Sequence, residues 1–248
     1  MLNPLFLVSH GSRDPRPQTA LEQLANLVKK RQVSDLLPMV CTGSLEFHPL
    51  PLSEQIVQFV NQALAEGFNC VEILPLFLHK GVHLREDIPA AVSIARHIIT
   101  QNCSEKISIN LLPHLGDHPD ILDLLKAKIK LNKSDIWILL AHGTRRVDGN
   151  QSIAEMAQKL GAIDAYLSVP PFLETRIQDL VQSEHHHVGI IPYFLFTGGI
   201  TESIKQKINQ LSEAFPKNKF WLAEPLGVSI ELADLICDLR GKQNNVYW

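Results

Sequence analysis

Short, continuously apolar runs alternate with stretches of helical periodicity along the whole chain. Runs at 4–9, 39–44, 70–78 and 107–113 read as buried strands. Between and after them, 17–31, 53–66, 84–100 and 119–130 carry apolar residues at helical spacing. The series then restarts. Strands are predicted at 135–141, 164–169, 187–196 and 220–225, and helices at 150–160, 172–183, 201–214 and 229–240. A strand that is apolar throughout, rather than at every second residue, is buried on both faces. With helices between such strands, the expected fold is α/β, a parallel sheet covered on both sides. Right-handed crossovers make each half a doubly wound, four-stranded sheet.

The restart is an internal repeat. SHGSR (9–13) matches AHGTR (141–145), and FHPLPLSEQI (47–56) matches SVPPFLETRI (168–177). LPLFLHKGVH (74–83) matches IPYFLFTGGI (191–200), and LLPHLG (111–116) matches LAEPLG (222–227). The copies keep their order, but the period is too long and the copy number too low for a solenoid. Two similar domains are expected, 1–131 and 132–248, joined near Leu131–Ser134. The repeat is unequal: where the first copy ends on His83, the second ends on Ile200.

Composition narrows the function classes. With 248 residues, 45% hydrophobic and 20% charged, the chain reads as an ordinary globular protein. A net charge of -3 gives no reason to expect nucleic acid or a membrane surface as partner. No apolar run approaches the roughly 18 residues that cross a bilayer. The start, MLNPLFLVSH, lacks a basic segment and a long apolar core, so a cytoplasmic location is expected. Cys41, Cys70, Cys103 and Cys237 show no CxxC spacing and read as reduced thiols. His185, His186 and His187 are adjacent, so their side chains diverge, and a solvated loop is expected there.

Chemistry concentrates past the strand ends. In an open parallel sheet, ligands bind outside the carboxyl ends of strands where the strand order reverses. With order 2-1-3-4 that point lies between the first and third strands. His10 directly follows the first, and His83 lies a few residues past the third. Neighbouring strands are about 4.8 Å apart, so both imidazoles can converge on one ion or one substrate atom. Glu46 and His48 end the second strand on the same side; Glu46 offers an oxygen ligand or a base. Gly11 and Gly81 read as turn residues. Asp14 and Asp87, each just before a proline, read as helix N-caps, and His118 as a helix-start residue. Ser9 and Ser12 flank His10, but there is no GxSxG elbow. A phosphate could sit at the Gly11 turn before a helix, yet neither GxxxxGK[ST] nor GxGxxG occurs.

HGSRDPR after the first strand, LPLFLHKGVHLREDIP after the third and LPHLGDHPDI after the fourth together resemble the class II sirohydrochlorin chelatases of CbiX or SirB type, in their long two-domain form. The resemblance implies two flavodoxin-like domains facing across a cleft. It implies ATP-independent insertion of Co²⁺ or Fe²⁺, with Ni²⁺ a third candidate, into sirohydrochlorin. His10 and His83 map onto the family's catalytic and metal-binding pair, and Glu46 fits the place of an accompanying glutamate. No cofactor beyond the metal substrate is implied. The substrate's many carboxylates call for cations: Arg13, Lys80 and Arg85 beside the histidine motifs, Arg145 and Arg146 in the second half, with the Ser9 and Ser12 hydroxyls. The second half keeps His142 but has Ile200 for His83 and Leu167 for Glu46, so it is expected to serve as a wall without a second metal site. A monomer is expected. A carrier that binds metal or tetrapyrrole without turnover is the alternative.

Overall fold

All sixteen predicted elements form. The computed structural model describes residues 2–31, 39–102, 107–146 and 149–241; Cys103 lies outside them. The first half runs β1 (Leu5–Ser9), α1 (Pro15–Arg31), β2 (Val40–Ser44), α2 (Leu52–Ala65), β3 (Cys70–Pro75), α3 (Ile88–Asn102), β4 (Ser108–Leu111) and α4 (Ile121–Ile129). The second runs β5 (Ile136–Ala141), α5 (Gln151–Leu160), β6 (Ile163–Tyr166), α6 (Leu173–Gln182), β7 (His187–Pro192), α7 (Gly199–Ala214), β8 (Lys219–Leu222) and α8 (Ile230–Gly241). Both sheets are parallel, in the orders β2-β1-β3-β4 and β6-β5-β7-β8. In the first, Ser9 pairs with Ser44 and Val8 with Pro75, so β1, β2 and β3 end almost level at one edge.

The apolar runs at 70–78, 107–113 and 187–196 outlast their strands. Leu76, Leu112 and Tyr193 stay buried after the regular ladder ends, and burial is what an apolar run reports. Side-chain alternation then sorts each sheet's faces. Phe6, Val8, Val71, Ile73 and Ile109 pack with Ile56, Phe59 and Val60 of α2 and Val92, Ala95 and Ile99 of α3. In the second sheet Ile138, Leu140, Val188 and Ile190 pack with Leu173 and Ile177 of α6 and Ile204 and Ile208 of α7.

The remaining helices are exchanged. α8, although it follows the second sheet, packs against α1 in the unit built on the first. α4, although it follows the first sheet, packs against α5 and β7. The compact units are therefore 1–119 with 228–248, and Asp120–Gly227. This moves the boundary expected at Leu131. The repeat in sequence ends there, but α4 buries its apolar stripe against the second sheet.

Two ion pairs fix α8. Arg31 binds Asp234 through two hydrogen bonds of 2.5 and 2.9 Å. Arg240, only 4% exposed, donates to Glu72 Oε2 on β3 at 2.6 Å and to the Asn3 carbonyl. Glu72 Oε1 accepts from the Asn3 side chain at 3.0 Å. Leu232, Leu235, Ile236 and Leu239 are buried beside them. Each such side chain is worth about 1.5–3 kcal/mol, whereas a buried ion pair roughly breaks even against a hydrophobic replacement. Apolar burial therefore supplies most of the docking energy, and the pair makes misdocking costly. Among the described residues, no helix is long and apolar enough to cross a membrane.

Candidate metal centre

The level strand ends bring three of the sequence-derived residues together. The β1–β2 ladder continues past the strands: Leu45 N–H donates to Ser9 O at 3.0 Å, and Glu46 N–H to His10 O at 2.9 Å. Gly11 allows this approach. Its φ is +93°, and a Cβ there would lie 2.0 Å from Glu46 O, so no other residue fits without moving one loop. Gln55, buried at the start of α2, clamps the Glu46 loop. Its Oε1 accepts from Ser44 N–H, and its Nε2 donates to Ser44 O and Leu50 O. His10 Nδ1 then lies 3.9 Å from Glu46 Oε2, with both side chains about half exposed.

His83 arrives from the third strand. Leu76 N–H donates to Val8 O at 2.7 Å, keeping the exit of β3 beside β1. The connection is braced from β4: His114 Nδ1 sits 2.9 Å from Phe77 O, which also accepts from Gly116 N–H. A Cβ on Gly116 would meet Leu78 O at 2.1 Å. The LPHLG motif thus shapes the His83 loop. His79, on that loop, has both ring nitrogens buried and without a hydrogen-bond partner. Burial pushes its pKa below the ordinary value, and His114 and Arg85 push the same way.

His83 opens a π-helical turn, His83–Asp87, that runs straight into α3. Such turns are rare and gather at functional sites. The wider turn sets Asp87 Oδ2 2.7 Å from His83 Nδ1. Asp87 is therefore inside the helical run and is not the N-cap that the sequence suggested. Asp14 is a cap, as expected: its Oδ1 accepts from Arg16 N–H, and bonding to Arg16 holds its carboxyl down at about 2.

The His10 and His83 rings meet edge to face, 4.9 Å between centroids and 84° apart. Phe77 lies 6.3 and 6.1 Å from them. One donor atom from each of His10, Glu46 and His83 lies within 4.8 Å of the other two. Donors sharing an ion at bonds of about 2.1 Å lie within about 4.2 Å, so a small rotation of these half-exposed side chains closes the set. An Asp87 carboxylate on Nδ1 leaves Nε2 of His83 as the free donor, a common arrangement for metal-binding histidines.

The other candidates fall around or away from this centre. Ser9 Oγ donates to Gly43 O at 3.4 Å, and Ser12 Oγ accepts from Asp14 N–H, so both hydroxyls serve the backbone. Arg13 stacks its guanidinium over the Phe47 ring, 5.4 Å from the centroid. Lys80 and Arg85 are exposed on the connection that carries His83. Arg145 and Arg146 are exposed past β5, in the second unit. His48 accepts from Leu50 N–H, which is a turn role. His118 is almost fully buried, and Gly81 has open space around it.

Sequence reasoning passed over Gln55 and Phe47. Phe47 has φ +60° and is 56% exposed. Side chains of this size rarely hold that backbone, at a cost on the order of 1–3 kcal/mol. Only its place beside Glu46 could have singled it out.

The second unit repeats the scaffold and not the donors. Leu167 N–H donates to Ala141 O and Ser168 N–H to His142 O, so Ser168, and not Leu167, stands in the place of Glu46. Neither is a carboxylate. Ile200 follows Pro192 as His83 follows Pro75. Among the described residues, His142 belongs to no group of three donors that could hold an ion. The 185–187 stretch, whose last residue opens β7, is tied down by the His186 and His187 amides donating to Asp135.

Known proteins share this scaffold. A sirohydrochlorin cobaltochelatase of Priestia megaterium is 22% identical over 95% of this chain and 78% of its own length. A sirohydrochlorin ferrochelatase of the same organism is 23% identical over 99% of this chain and 95% of its own. The structure of SirB from Bacillus subtilis with Fe³⁺ superposes with a TM-score of 0.77 at 17% identity, covering 98% of each chain, a likeness of fold. The CbiX family profile matches residues 4–131 and again residues 137–240, so the chain belongs to the CbiX family through both of its halves.

Proposed function

We propose that the protein inserts a divalent metal ion, Co²⁺ or Fe²⁺, into sirohydrochlorin without ATP. The observation that carries this is the open set of His10, Glu46 and His83 at the carboxyl edge of one sheet. Insertion needs donors that hold an ion and then surrender it. Three donors from one side leave coordination positions for water and then for pyrrole nitrogens; a closed four-donor cage would trap the ion. Imidazole and carboxylate suit both metals. Two pyrrole protons must leave as the metal enters, and a neutral imidazole or Glu46 can take one. In this reading His10 and His83 share metal delivery and proton removal, and Asp87 holds the His83 ring. Arg13, Lys80 and Arg85 meet substrate carboxylates. Arg145 and Arg146 are proposed to do the same from the second half. One copy carries the whole donor set, so the working form is proposed as a monomer, acting in the cytoplasm with no cofactor beyond the metal it transfers.

Purified protein with sirohydrochlorin and Co²⁺ or Fe²⁺ should change the tetrapyrrole absorption spectrum faster than the protein-free mixture. No acceleration with either metal would leave the carrier alternative. Supplying both metals in competition assigns the preferred one. Asp87→Ala should weaken Co²⁺ binding and slow metallation by about 10–100-fold, the usual effect of removing a carboxylate behind a metal-binding histidine. Unchanged Co²⁺ affinity in that variant would remove Asp87 from the site.

A further inference from the structure

Beside the donor set stands an aromatic ring that the fold does not use. Phe47 follows Glu46, adopts φ +60° and leaves 56% of its surface exposed. Glycine or asparagine would hold this turn with less strain. The residue packs into neither apolar core. Its recorded partner is Arg13, whose guanidinium lies 5.4 Å above the ring. Arg13 belongs to the turn that follows His10, and Phe47 to the one that presents Glu46. Both therefore move with the donor set.

We infer that Phe47 and Arg13 form a platform for the substrate, the ring stacking on the flat conjugated macrocycle and the guanidinium binding a carboxylate at its rim. This rests on the proposed substrate, sirohydrochlorin. An aromatic face takes a planar conjugated ligand in offset stacking or edge to face. A guanidinium over the opposite face keeps a planar fork of donors for carboxylate. A large, flat, polyanionic molecule satisfies both requirements, whereas a bare metal ion satisfies neither. The Gln55 clamp holds the loop while more than half of the Phe47 surface stays exposed. A strained and solvated aromatic is retained where its exposed face is itself useful.

Metal-free sirohydrochlorin titrated against wild type, Phe47→Gly, Phe47→Trp and Arg13→Gln, followed by tetrapyrrole fluorescence, tests the platform without turnover. Phe47→Gly should weaken binding about tenfold, and Phe47→Trp should stay within about twofold of wild type, because stacking needs the aromatic face. Arg13→Gln should also weaken binding. Co²⁺ affinity, measured alone by visible absorption, should be unchanged in all three. Phe47→Gly should melt no lower than wild type, because glycine relieves the positive φ. Wild-type tetrapyrrole affinity in Phe47→Gly would overturn the inference. So would a Phe47→Trp variant as weak as Phe47→Gly, or a loss of Co²⁺ affinity that tracks the loss of tetrapyrrole. Wild-type protein that binds sirohydrochlorin but never metallates it would sink the chelatase reading and leave the platform standing. Wild-type protein that does not bind sirohydrochlorin would overturn both.

Discussion

His83→Ala should abolish metallation, lowering the rate by about three orders of magnitude, and His10→Ala should do the same. Each change removes a proposed metal donor, and each removes a candidate acceptor for a pyrrole proton, a role worth about 10²–10⁴ alone. The two rings meet edge to face, and their donor atoms lie close enough to share one ion. The double variant should therefore be little worse than either single one, as for groups that act as a unit. Both side chains are partly exposed, so stability should change by no more than about 0.5 kcal/mol. His142→Ala, in the unit without the other donors, should keep near wild-type rates. Metallation at the normal rate by His83→Ala, or an equal loss in His142→Ala, would place the reaction elsewhere.

Arg240→Met should cost about 3–5 kcal/mol and lower the melting temperature by about 10 °C, because it leaves the Glu72 carboxylate buried without its cation. Thermal unfolding followed by circular dichroism checks it. Adding Glu72→Leu to Arg240→Met should recover most of the loss, since an apolar pair in the same place has no charge to desolvate. A single variant as stable as wild type would show that α8 is held by its apolar residues alone, and a double variant that recovers nothing would show that the ion pair is itself net stabilising. Metallation by the double variant should stay near normal, because the pair lies at the α8 contact with β3 and not at the exits of the strands.

Strand order and the neighbourhood of His10, Glu46 and His83 were legible because fully apolar strands leave few topologies, and the switch point follows from the order. The swap of α4 and α8 was not. An amphipathic stripe says that one face is buried and is silent about which sheet buries it. Asp87 was misplaced for a local reason: a carboxylate shortly before Pro89 has the form of a cap, and nothing in the letters marks a π-turn. Ser168 in place of Leu167 is a one-residue slip that only the backbone ladder resolves. Phe47 was invisible because its meaning lies in its φ, which the chain imposes through the ladder at Glu46 and the clamp of Gln55.

The exchanged helices bear on the order in which the halves can mature during synthesis. Asp120–Gly227 is one uninterrupted segment and has emerged entirely before α8 is made. The unit that carries His10, Glu46 and His83 comes first in sequence, yet it lacks a helix until Ile230–Gly241 follows. Its buried bridge joins positions 168 apart in the chain, the kind of distant contact that forms slowly. The later-encoded unit can thus close first, while Glu72 waits for its cation. At about 5–20 residues per second, synthesis of Asp120–Gly227 holds the first unit incomplete for about 5–20 seconds. The first unit would then be completed only after the whole of the second has emerged.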